Sequence, residues 1–314
     1  MGLQNSQCPY TKDNTLALHI GKQPTQTVKA TIMRLFEPFT MSCTMVVQVH
    51  CPPLRLEGEF VVKLYDRRFA TQLRRDEEAC PWDHNLEGEY RTFVNNVGAS
   101  DFFKICSDRL CSDEDWAEKE RKNWNKAQHE AFLQYSCRKF YNVEAEVYDR
   151  LYDVQGKDVP RFFARLSMDP PSNSTLDGEY LGIPGILLKF IRGFPLTDIA
   201  NHAPRDDWQY ICEDSIHIVN LIGDRGIRNG DVKTRNFLVR KNADTRKFKV
   251  FMIDFGLCTF RKQNEDDREW RELKALEDEE GAVGLVMERK LNGGFKYRRT
   301  PQSEKLQDEF MSEN

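Results

Sequence analysis

Between positions 228 and 239 the chain reads RNGDVKTRNFLV, which sets Asp231, Lys233 and Asn236 within six residues, just before an apolar run. Another acid, Asp254, follows the apolar segment Val250-Phe251-Met252-Ile253 and opens a glycine turn, Asp254-Phe255-Gly256. If Phe237-Leu238-Val239 and Val250 to Ile253 pair as a hairpin, Asp254 stands at its mouth, beside the loop that carries Asp231. Asp231, Asn236 and Asp254 then offer carboxylate and amide oxygens of the hard kind that hold magnesium beside phosphate. Lys233 can neutralise negative charge developing on a transferred group.

Two residues earlier in the chain extend this set. In the segment VVKLYD, alternation puts Lys63 on the face shared with Val61 and Tyr65, so it is expected to point inward, where an ammonium needs a partner. In FYNVEAEVYDRLY, at 140 to 152, Glu144 precedes Tyr148 by four residues and Leu151 by seven, which places it on the apolar stripe of a helix. Glu146 points about 200° away and stands four residues before Arg150, the spacing of a surface ion pair. Glu144 is thus the better partner for Lys63.

The elements that must position these residues follow from periodicity. VKATIMRLF, SCTMVVQVHC and GEFVVKLYD, between 28 and 65, read as three antiparallel strands. From about 71 to 138 the chain turns charged and irregular around Trp82, Trp116 and Trp124, an insertion of part helix and part loop. In it, Ser112 and Asp115 form a capping box for a helix running toward Phe132. GILLKFIRG, at 185 to 193, reads as a buried strand acting as a hinge, and Trp208, Ile211, Cys212, Val219 and Ile222 mark a long helix over 206 to 223. The domain reading is a tail at 1–27, a sheet-rich lobe at 28–190 with the insertion, a mainly helical and shortened lobe at 191–300, and a tail at 301–314. The fold class is α+β, with two lobes.

Together these residues resemble the protein-kinase-like superfamily, at the size of the aminoglycoside phosphotransferases. Its catalytic loop carries an acid and, five residues on, an asparagine, and a D-F-G turn follows. Asp231, Asn236 and Asp254-Phe255-Gly256 match that spacing. The resemblance implies that Asp231 positions or deprotonates an acceptor hydroxyl, that Asn236 and Asp254 hold Mg2+, and that Lys63 with Glu144 contacts the phosphates of ATP. It covers about residues 28 to 300, and narrows to atypical fungal kinase-like proteins through KLYDRRFA and DEEGAVG.

This chain also departs from that pattern. LFEPFTMSC stands where a glycine-rich phosphate loop is expected, Asn229 replaces the catalytic-loop histidine, and Lys189 falls where many relatives carry an acid. Only 58 residues follow Gly256, without an Ala-Pro-Glu segment, so a small-molecule substrate is expected rather than a protein. In the tail, Trp270, Leu273 and Leu276 mark a helical stripe. Asp266, Asp267, Glu269 and the run Glu277 to Glu280 are most simply solvated helix acids, and the first three alternatively form a rim for a cationic substrate.

Two alternatives stay open. The chain also resembles the fungal arginine-containing cyclodipeptide synthases of secondary metabolism, which use aminoacyl-tRNA. Their acidic motif D-D-x-x-E is met only by Asp266-Asp267-Arg268-Glu269, one residue short. Arg67-Arg68, Arg74-Arg75 and Lys119, Arg121 and Lys122 are the basic clusters available to tRNA. The other alternative is a catalytically inactive, pseudokinase-type binding protein.

Composition sets outer bounds. With 46 basic and 50 acidic side chains in 314 residues, the net charge of -4 recruits neither DNA nor an anionic membrane. Nine cysteines without a CxxC pair, no basic-apolar leader and no run of about 20 apolar residues imply a cytoplasmic protein with reduced thiols and no transmembrane segment. Gly2 and Ser6 fit the myristoylation pattern.

Overall fold

The computed structural model describes residues 8–21, 26–96, 98–110, 113, 115–168, 177–242 and 247–311. Gly2, Ser6 and Ser112 lie outside them, so neither the acylation pattern nor the capping box is described. The fold is mixed α/β and falls into two compact units, one of residues 1–142 with 162–190, the other of 143–161 with 191–314.

In the first unit, six strands close into an antiparallel barrel: β1 (Thr15–Ile20), β2 (Gln26–Leu35), β3 (Cys43–Cys51), β4 (Leu56–Leu64), then β5 (Phe162–Met168) and β6 (Ile183–Lys189). Around the barrel the order is β1-β2-β3-β4-β6-β5. Alternation explains the interior, because Leu16, Leu18 and Ile20, then Met45, Val47 and Val49, then Phe60, Val62 and Leu64 all fall on the core face. A bulge between Ile32 and Arg34 lets β2 bend around that core. Residues 15–20, read from sequence as tail, supply one wall. The segment expected to be a hinge ends as strand at Lys189, and β6 lies between β4 and β5, buried nearly end to end.

The charged region after β4 is helical: α1 (Thr71–Asp76), α2 (His84–Asn95), α3 (Gly98–Leu110), α4 (Trp116–Glu120) and α5 (Lys126–Arg150), with a short α6 (Asp177–Tyr180) later. Tyr90, Phe102, Cys106 and Phe132 form a core there, with Trp116 and Trp124 packed against it, so this is a helical layer with its own interior. The helix expected to run from the Ser112 region to Phe132 is broken at Trp124, which is extended at ψ 140. α5 starts anew beyond it.

Within this unit, the basic clusters offered to tRNA are largely consumed. Arg67 and Arg74 are buried and both bind Glu130; Arg67 also donates to Glu87 at 2.6 Å. Arg68 holds Asp66, Arg121 pairs with Glu77 and Lys119 with Asp113. Charges neutralised in this way offer little to a phosphate backbone.

The second unit begins within α5 and continues with β7 (Phe194–Pro195), α7 (Ile199–His202), α8 (Trp208–Gly223), β8 (Ile227–Asn229), β9 (Phe237–Lys241), β10 (Phe248–Met252) and β11 (Cys258–Phe260). Then come α9 (Asp267–Glu277), α10 (Glu279–Leu291) and α11 (Pro301–Phe310), the last a helix where a tail was expected. β9 pairs with β10 and β7, and β8 with β11. α8 packs on β10 and α10, and Ile211, Cys212, Val219 and Ile222, four of the positions its periodicity marks, are buried. None of the described helices is long and apolar enough to cross a membrane.

Candidate functional site

The loop after β8 is built outward from Asn229. That side chain is buried, and its Oδ1 accepts the backbone N–H of Asp231 at 2.9 Å, turning the chain sharply so that the Asp231 carboxylate is left half-buried. Its Nδ2 lies 3.5 Å from the carbonyl of Asp254. Gly230 donates to Leu257 O at 3.2 Å, which ties the loop to the turn that follows Asp254.

Asn236 closes the other side. Its Nδ2 donates to Asp231 O at 3.0 Å, and its own carbonyl accepts the N–H of Ile253 at 2.8 Å, one residue before Asp254. The hairpin register supports this, since Phe237 faces Met252. Within the second unit, the Asn236 side chain thus holds Asp231 and its carbonyl holds Ile253, the residue before Asp254. Asp254 is exposed and sits at φ 70, in the left-handed region, a conformation non-glycine residues hold only where the surroundings fix it. Phe255 supplies that anchor: it is fully buried and meets Tyr148 edge-on, ring centroids 5.4 Å apart. Lys233 forms an ion pair with the Asp231 carboxylate.

Electrostatics around the turn are negative. Burial first, then the charges of Glu144 and Asp254, push the Tyr148 phenol well above its ordinary range. Burial, followed by Glu279, Glu144, Asp254 and Glu277, does the same to the Cys258 thiol. Several carboxylates thus act on these two groups, and two of them already face cations, Glu279 with Lys274 and Glu277 with Arg228. Asn236 donates through Nδ2 to Asp231 O, and its Oδ1 and the Asp254 carboxylate are the oxygens that could hold a cation here. Among the described residues no three His, Cys, Asp or Glu side chains form a ligand cluster, so a cation held here would draw its remaining ligands from phosphate and water, as Mg2+ commonly does.

Lys63 lies in the first unit. It is 8% exposed but not inside the barrel: Phe60, Val62 and Leu64 fill the interior, and Lys63 stands on the opposite face of β4 with Tyr65, whose ring centroid is 5.6 Å from its ammonium. Glu144, in the second unit, is 1% exposed on the buried stripe of α5, while Glu146 makes the expected bond to Arg150 Nε at 3.0 Å.

Of the proposed rim acids, Asp266 precedes α9, and Asp267 and Glu269 lie in its first turn. Asp266 caps α9 by accepting Arg268 N–H at 2.7 Å, and Asp267 pairs with Arg261 at 2.7 Å; Glu269 is exposed. The expected stripe on α9 also drifts: Trp270 is buried and Leu276 is 62% exposed, because two three-residue steps rotate the position by about 120°. A hollow of about 450 Å³ in this unit is walled by Trp270, Lys274, Asp278 and Glu280 with α11, and neither Asp231, Asn236 nor Asp254 lines it.

Sequence reasoning missed Glu279 and Glu280. Both are buried rather than solvated. Glu280 takes bonds from Asn220, Tyr297 and Thr300; Glu279 takes them from Lys274 and from the backbone of Asn229. The signal was present, since Glu280 precedes Val283 by three, Gly284 by four and Met287 by seven, and so lies on the core stripe of α10.

No protein-family model matches the chain, and no curated protein does. Among solved structures it is similar to one titled WaaP in complex with acyl carrier protein, at 14% identity and a TM-score of 0.39, over 88% of this chain and 82% of that chain. A similarity at that level defines neither a shared fold nor a shared activity.

Proposed function

We propose that the protein is an atypical, bilobal kinase-like phosphotransferase that uses Mg2+ and ATP to phosphorylate a small molecule. One observation carries this: Asn236 donates to Asp231 O while its own carbonyl holds Ile253, so that Asp231, Asn236 and Asp254 are tied into one bonded loop. Asp231 takes the acceptor hydroxyl, with Lys233 beside it; Asn236 Oδ1 and the Asp254 carboxylate take the cation. Lys63 and Glu144, each buried in its own unit, receive the phosphate-binding role that the resemblance gives them. The aminoacyl-tRNA alternative gains no observation of its own, because Asp266 and Asp267 are engaged at α9 and most of the basic residues it needs are paired with acids.

The test is thermal unfolding of the full chain with and without Mg-ATP. Saturating ligand should stabilise the wild type by about 2.7 kcal/mol at a hundred times Kd, a rise of several degrees. Asp254→Ala should abolish the rise. Asp231→Asn should keep it, because its role lies with the acceptor. A wild-type chain indifferent to Mg-ATP would sink the reading.

A further inference from the structure

Beyond the end of β4 the first unit carries a hollow of about 380 Å³ that lies wholly within that unit. Its walls are aromatic: Phe39 comes from the β2–β3 loop, Phe69 from the β4–α1 turn and Trp82 from the segment before α2. Each ring is held in place. Tyr10 meets Phe39 and Phe69 edge-on, with ring centroids 5.9 and 5.5 Å apart, and is itself tied to Asp66 through its hydroxyl at 2.6 Å. Phe69 packs on Trp82 at 5.6 Å, the Trp82 indole N–H donates to Glu87 at 3.0 Å, and the Thr71 hydroxyl donates to the Phe39 carbonyl. The Arg68 guanidinium lies 5.2 Å from the Phe69 ring centroid and 5.7 Å from that of Trp82, which couples these two walls. Rings fixed in this way lose little freedom in closing on a flat guest.

The charges around the hollow divide into two kinds. Arg68 is neutralised by Asp66 and Arg74 by Glu130. Arg75 and Glu37 are exposed, and among the described residues neither forms an ion pair, with the other or with a third group. Arg75 has neutral partners alone, donating through Nε to Thr71 O at 3.3 Å and through Nη2 to Gln72 Oε1 at 3.1 Å. The rim of an aromatic hollow thus carries one uncompensated cation and one uncompensated anion.

We propose that this hollow binds a free aromatic α-amino acid: the ring enters among Phe39, Phe69 and Trp82, the carboxylate meets the Arg75 guanidinium and the ammonium meets Glu37. A planar ring gains edge-to-face and stacked contacts there that an aliphatic side chain does not. A residue within a peptide has at most one of the two charges at its α-carbon, so the pair of rim charges selects the free amino acid. The proposal does not rest on the phosphotransferase reading, since Asp231, Asn236 and Asp254 all belong to the second unit.

The test is a titration of the isotope-labelled full chain with L-phenylalanine, read by nuclear magnetic resonance at the Trp82 indole N–H and at the Phe69 and Ala79 amides. These signals should move together and saturate, with a Kd of about 0.1–1 mM for a ligand of this size. N-acetyl-L-phenylalanine, which lacks the ammonium, and phenethylamine, which lacks the carboxylate, should each bind about threefold to tenfold more weakly. L-leucine, which lacks the ring, should bind about tenfold more weakly. Arg75→Gln should weaken L-phenylalanine about threefold to tenfold and leave phenethylamine at its wild-type affinity. Glu37→Gln should weaken L-phenylalanine to a similar degree and leave N-acetyl-L-phenylalanine unchanged. Both side chains are exposed, so these variants should fold as the wild type does, and the analogues decide on the wild-type chain alone. Absence of a saturable shift up to about 10 mM L-phenylalanine overturns the proposal, as does an analogue that binds as tightly as L-phenylalanine or a variant that binds L-phenylalanine as the wild type does.

Discussion

Asp66, in the segment KLYDRRFA, shows how much one acid organises. It is almost wholly buried, accepts the Tyr10 hydroxyl at 2.6 Å and takes the Arg68 guanidinium at 2.7 and 2.9 Å. Burial raises its pKa, but Arg68 and the bonds from Arg68 and Tyr10 outweigh burial and hold it below the ordinary range. A depressed folded pKa gives stability that is complete above the unfolded value, about 3.9, and is lost as pH falls through the folded one. Asp66→Asn should therefore cost about 2–4 kcal/mol near neutrality, since it leaves the partly buried Arg68 guanidinium without its counter-charge. Its stability should also fall less steeply below about pH 4, by up to about 1.4 kcal/mol per pH unit. Urea unfolding across that pH range reads both effects. Charges such as these are visible in the sequence, but their partners are not: Glu130, which binds Arg67 and Arg74, stands 63 and 56 residues away, beyond any local pattern.

Among the elements, those with one buried face were legible. β2 to β4 announced themselves by alternation and α8 by its period, and the β9–β10 hairpin placed Asp254 beside Asn236 as its apolar runs imply. Where an element buries more than one face the pattern blurs. α5 gave a clear stripe only near its end, because its earlier turns contribute Ala131 and Phe132 to one core and Leu133 and Cys137 to another. β6 shows the packing limit most directly. A Cβ on Gly185 would come within 2.7 Å of Lys63 O and of Leu166 Cδ1, and 2.8 Å of Leu64 Cδ2. Gly185→Ala should accordingly destabilise the chain by about 1–3 kcal/mol, measured by equilibrium unfolding, through displacement of β4 and β5.

At the scale of the whole chain, the linear lobe boundaries expected from sequence give way to interleaved units. Residues 143–161 belong with the second unit, and the chain then returns to supply 162–190 to the first. Sequence order hides this, because no composition shift marks position 143 inside a continuous helix. The consequence is testable by truncation. A fragment ending at residue 160 lacks β5 and β6, hence the partners of β1 and β4 that close the barrel. It should give no near-ultraviolet circular dichroism and no dispersed amide spectrum. A cooperatively folded fragment of that length would show that the barrel does not need its returning strands.

That closure bears on how molecules of this chain treat one another. A ring of strands leaves less open border of amides and carbonyls than an open sheet of the same strands, so an extended polypeptide finds less template on the barrel for a further strand. Among the described residues the join of β1 to β5 pairs His19 with Ser167 and Ile20 with Leu166. Fibrillar self-association of the native barrel would have to begin by prising apart that short seam.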